Sequence, residues 1–61
     1  MGDRGAEVVT LQKALNRRGE DLEVDGIFGP ATRAAVVAFQ ARNGLHPDGV
    51  VGPLTGAKLE I

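Results

Sequence analysis

The most chemically suggestive spacing in the chain lies in "DLEVDG". Asp21, Glu23, Asp25 and Gly26 fall there at positions 1, 3, 5 and 6 of a calcium-binding loop. Such a loop alternates oxygen ligands along the chain, turns sharply at its glycine and closes with a carboxylate at position 12. Here position 12 is Thr32, and in a second stretch the matching positions 1, 3 and 12 are Gly44, His46 and Thr55. Calcium takes six to eight oxygens, so the ligand count fails. Asp21 and Glu23 are read as solvated loop charges, and no metal or other cofactor is expected.

Nucleophilic chemistry fares no better. The chain has neither Ser nor Cys, which leaves Thr10, Thr32 and Thr55 as its hydroxyl side chains. Eight acidic residues are spread over loops and helix faces, with no pair set apart for acid and base work. The one histidine, His46, precedes Pro47, which biases it towards extended backbone as a solvated connector. No catalytic residue is expected.

The elements that carry these residues are organised by a repeat. "VDGIFGPATRAAV", residues 24 to 36, returns as "PDGVVGPLTGAKL", residues 47 to 59, with Asp25 and Asp48, Gly26 and Gly49, Gly29 and Gly52, Pro30 and Pro53, Thr32 and Thr55 all 23 positions apart. In each copy the Asp accepts backbone N–H groups of a tight turn and the next Gly supplies positive φ. Two apolar residues, Ile27 and Phe28 or Val50 and Val51, are expected to dip into the core. The second Gly lets the chain bend, and Pro takes the first helical position, where its missing N–H costs nothing. The Thr hydroxyl lies in the first helical turn, where backbone groups need partners.

Three helices follow from the same reading, with no alternation long enough for a sheet. In the first, Val8, Leu11 and Leu15 make one apolar stripe with Gln12 beside it; Asp3 caps its start and Gly19 ends it. The second runs from Pro30 to about Asn43, with Ala35, Val36 and Phe39 as the stripe, Gln40 beside Phe39, and Gly44 as the stop. Leu45 then folds back. The third starts at Pro53 and is expected to bring Leu54, Ala57 and Leu59 to the core. Gln12 and Gln40 are read as buried braces, because an amide carries both a donor and an acceptor for loop backbone. Phe28 and Phe39, the only aromatics, are assigned to the core, which removes a sugar-stacking platform.

Size and composition bound what such a chain does. Sixty-one residues make one small all-α domain, a compact three-helix bundle, and a domain of this size buries only about 60% of the surface its unfolded chain exposes. No disulfide helps, since cysteine is absent. Seven basic against eight acidic residues leave no field for a phosphate backbone, so nucleic acid is excluded as a partner. No apolar run approaches the roughly 20 residues that span a bilayer. The opening "MGDRGAE" has no secretory-leader pattern, so export would depend on residues upstream.

"GDRGAEVVTLQKAL", "VDGIFGPATRAAVVAFQARNGL" and "PDGVVGPLTGAKL" together resemble the small three-helix peptidoglycan-binding modules that accompany bacterial cell-wall hydrolases. The resemblance covers almost the whole chain and implies a non-catalytic anchor that holds an attached enzyme against murein in the periplasm or cell wall; a monomer is expected. Many such modules carry aromatics after the first helix and a Trp in the last, where this chain has "EDLEV" and Gly56. A murein ligand would then be held through polar contacts to its N-acetyl groups or to the carboxylates of its peptide stems. Arginine forks suit carboxylates. Thr32 and Arg33 at the start of the second helix, and Arg42 with Asn43 at its end, are the candidate ligand contacts. Two other resemblances compete. Dockerin calcium modules fail on the ligand count above. The pro-segments of matrix metalloproteases, a protein-interaction reading of the same fold, inhibit through a cysteine that this chain lacks.

Overall fold

The computed structural model describes residues 5–61, so the expected Asp3 cap lies outside the described residues. The regular elements among them are three helices: α1 (Ala6–Arg17), α2 (Pro30–Arg42) and α3 (Pro53–Leu59). Val8, Leu11, Gln12 and Leu15 recur at helical spacing and are all buried on the inner face of α1, joined by Ala14. Gly5 precedes the helix, its N–H donated to the Gly26 carbonyl at 2.9 Å, which ties the start of α1 to the first repeated turn. Each long helix stops by the same device. The Glu20 N–H returns to the Leu15 carbonyl at 3.1 Å and the Leu45 N–H to the Gln40 carbonyl at 2.8 Å, each after a left-handed glycine.

The core is built from Leu11, Ala14 and Leu15 of α1, Ala35, Val36 and Phe39 of α2, and Leu59 of α3. α1 lies against both other helices. Leu22, Phe28 and Val51 close over the cluster from the loops. An unanticipated clamp positions Leu22: its N–H donates to Asn16 Oδ1 at 2.7 Å while Asn16 Nδ2 donates to its carbonyl at 3.0 Å.

Two expectations about the core need correction. Only the second residue of each apolar pair packs inward, for Ile27 is 57% and Val50 61% exposed. The carbonyls of these two residues accept from the glutamine amides, and it is the side chain of the next residue, Phe28 or Val51, that packs against the core. In α3, Leu54 is 73% exposed and Ala57 is also outside. Thr55 and Leu59, four residues apart, form the single inward stripe that so short a helix has room for.

Candidate ligand-binding surface

Among the described residues the buried polar ones are Gln12, Thr32, Gln40 and Thr55, and they form two copies of one network. Gln12 Nε2 donates to Asp25 Oδ1 at 2.9 Å, to the Ile27 carbonyl at 3.1 Å and to Thr32 Oγ1 at 3.1 Å, while its Oε1 accepts the Gly26 N–H at 2.9 Å. Gln40 Nε2 donates to Asp48 Oδ1, the Val50 carbonyl and Thr55 Oγ1 at 3.2, 2.9 and 3.1 Å, and Oε1 accepts the Gly49 N–H at 2.9 Å. One primary amide thus saturates a whole turn. It does so from the helix that precedes the turn, which fixes the following helix against it.

Gly26 and Gly49 sit at φ of 75° and 77°. Asp25 and Asp48 each accept the N–H two residues on, at 2.9 Å. These bonds favour the charged form, so both carboxyls are held below the usual carboxylate range. For Asp25 the Gln12 amide is the larger cause and the Ile27 N–H the next; for Asp48 the Val50 N–H leads, with Gln40 and the nearby His46 adding to it. Among the described residues no three His, Asp or Glu side chains converge as a metal site.

The four residues expected to contact ligand do not form one site. Thr32 is 3% exposed, and its hydroxyl accepts from Gln12 within the turn. Arg33 is exposed and lies across the second turn, its guanidinium donating to the Asp48 carbonyl at 3.4 Å. Arg42 pairs with Glu20 at 2.8 Å, and Asn43 donates to the Phe39 carbonyl at 2.8 Å. Arg33 and Arg42 are nine residues apart, which at about 100° per residue turns them to opposite sides of α2.

What the candidate list missed is the groove that Arg33 borders. A depression of about 610 Å³ runs along the outer side of α2, lined by Ala34, Val37 and Ala38, with the half-buried Phe28 ring and Pro30 at one end. Its signal is in the sequence. Ala34, Val37 and Ala38 follow the three-and-four spacing of a second apolar stripe, on the face away from Ala35, Val36 and Phe39. Phe28 is correspondingly less enclosed than Phe39, which is 3% exposed.

Three helices joined by two braced turns, with a groove on the middle helix and no grouped catalytic side chains among the described residues, define a small helical binding module. The family described as "Putative peptidoglycan binding domain" matches residues 4–59, and the chain belongs to it. It is 54% identical to a zinc D-Ala-D-Ala carboxypeptidase of Streptomyces albus G over 67% of this chain and 16% of that protein. It is 43% identical to a spore cortex-lytic enzyme of Halalkalibacterium halodurans over 97% of this chain and 18% of that one. The crystal structure of the Burkholderia AP3 phage endolysin superposes with a TM-score of 0.93 at 52% identity, over 97% of this chain and 23% of the endolysin. The chain therefore spans less than a quarter of the length of each of these relatives.

Proposed function

We propose that this chain is a non-catalytic, monomeric module that holds an attached enzyme against bacterial peptidoglycan outside the cytoplasm, and that the α2 groove with Arg33 is where it grips. The observation that carries the reading is the pairing of an apolar trough with a single cation at its rim, on a member of the peptidoglycan binding family. Two of the related proteins, the zinc D-Ala-D-Ala carboxypeptidase and the spore cortex-lytic enzyme, are enzymes several times longer than this chain, which supports a covalently attached catalytic domain. A peptide stem offers short aliphatic side chains for the trough and carboxylates for the guanidinium, whose fork donates to both carboxylate oxygens at once. Arg42 is a weaker candidate because Glu20 already neutralises it, and Asn43 is committed to ending α2.

Sedimentation with purified murein sacculi tests this. The chain is expected to pellet with sacculi without releasing soluble fragments, and to come off as salt screens the contact. Arg33→Ala should weaken binding about tenfold while melting within about 0.5 kcal/mol of the parent, whereas Arg42→Ala should bind nearly as the parent does. Equal binding by parent and Arg33→Ala at every salt concentration would remove the groove from the account.

A further inference from the structure

Two smaller hollows in the surface are copies of each other. One of about 300 Å³ opens beside the Asp25 turn, and one of about 180 Å³ beside the Asp48 turn. Each of the eight residues around the first has its counterpart, 23 positions on, around the second. Ile27, Pro30 and Ala31 give the first an apolar wall, answered in the second by Val50, Pro53 and Leu54. The polar side is the aspartate carboxylate, with the threonine hydroxyl behind it. Oδ1 of each aspartate is occupied by the glutamine amide and a backbone N–H. Among the described residues no hydrogen bond reaches either Oδ2, and both aspartates are exposed at the cleft mouth.

The duplicated shape restricts the ligand. What fits one cleft fits the other, so the recognised group must recur along the ligand. It must also donate a hydrogen bond to a carboxylate held ionised and place a small apolar group on the wall. Anions are repelled by both aspartates. A cation suits the first cleft, where Glu23 joins Asp25, but not the second, where His46 stands in the place of Glu23. What the two share is one carboxylate and an apolar wall.

We propose that each turn–helix unit forms its own recognition cleft for a neutral acetamido group of an N-acetylated sugar, so that the module grips a repeating glycan at two points. The acetamido N–H is donated to Asp25 or Asp48 Oδ2 and its methyl lies on the apolar wall. The polar group offered is the carboxylate, not the amides of the helix starts. Each hollow holds several times the roughly 30 Å³ share of a water molecule, enough for such a group. The choice of an N-acetylated sugar rests on the peptidoglycan reading; the duplication of the clefts does not. One acetamido contact is weak, but two on one strand combine through effective concentration.

Titration of the protein with tri-N-acetylchitotriose, followed by amide NMR, tests the clefts directly. Resonances of residues 25–32 and of residues 48–55 should both shift. Ala31→Glu should abolish only the first set and Leu54→Glu only the second, since both positions are exposed and each glutamate fills one cleft with negative charge. Thermal melts of the two variants confirm that the fold is kept. A glucose trimer, which is neutral and lacks the acetamido group, should shift neither set. On sacculi each single variant should bind at least about tenfold more weakly than the parent. Shifts confined to one set, no shifts, or equal shifts with the glucose trimer would overturn the proposal. Sacculus binding without a trimer response would sink the clefts and leave the peptidoglycan reading standing. A trimer response in both clefts without sacculus binding would do the reverse.

Discussion

Gln12 and Gln40 each hold one of the repeated turns to the helix before it. Each amide is buried and makes four hydrogen bonds to one turn. Truncating one to alanine strands a buried glycine N–H and an inward carbonyl, each costing about 1–3 kcal/mol when unpaired. Gln12→Ala and Gln40→Ala should therefore each lose about 3 kcal/mol or more in urea unfolding, a large share of what a domain of this size has. A midpoint close to the parent's would show that the amide is dispensable. The glycines divide in a similar way. A β-carbon on Gly26 would stand at positive φ and 3.2 Å from Val9 Cγ2, and one on Gly49 at positive φ and 2.9 Å from Arg33 Nε. Gly29 is extended at φ −105°, with open space where a β-carbon would point. Gly26→Ala and Gly49→Ala should cost about 1 kcal/mol or more, and Gly29→Ala much less. If circular dichroism melts ranked Gly29→Ala as the worst of the three, the turn geometry described above would be wrong.

At the scale of the element, the unit is a turn fused to the helix it launches, braced from the helix before it. Its charge state matters to its stability. Both turn aspartates have a folded pKa below the unfolded value, so their contribution is present above the ordinary carboxylate range. It is lost as pH falls through the lowered folded values. Thermal stability should hold from neutral pH down to about pH 4 and then decline. Gln12→Ala, having lost the largest cause of the Asp25 shift, should show a shallower acid loss than the parent. An identical acid slope in the two proteins would dissociate the carboxylate from the brace. The helix that each unit launches also explains the surface. Pro30 starts a helix apolar on two faces, one closed by α1 and the other left as the groove beside Arg33.

For the whole molecule, the duplication asks to be read either as two metal loops or as two braced turns, and the arrangement of donors decides. Asp25 Oδ1 faces an amide and an N–H, both donors, and Thr32 stands buried where a calcium loop needs its closing carboxylate. The thermal midpoint should be the same in millimolar calcium and in chelator, because a ligand that binds the native state would raise it. A rise of several degrees with calcium would restore the metal reading. Stability instead comes from one small cluster, Phe39 among its members, in which α1 touches both other helices.

Local chemistry alone determined the three helices, the glycine stops of α1 and α2, the proline starts of α2 and α3, the repeat and the role of the two glutamines. Each of these is a property of a few neighbouring residues: proline fixes φ, glycine permits the left-handed turn, and an amide beside an apolar stripe must find partners. Tertiary structure decided which way the ambiguous side chains face. Ile27 and Phe28 are both apolar and adjacent, yet in the folded turn Gln12 takes the Ile27 carbonyl and Phe28 alone of the pair packs against the core. Leu54 looks like core by type, yet Thr55 takes the inward position because Gln40 reaches its hydroxyl. Arg33 and Arg42 look equivalent in sequence, but Glu20, 22 residues before Arg42, neutralises one and leaves the other at the groove. In each case the deciding partner is distant in the chain, so no local pattern contained it.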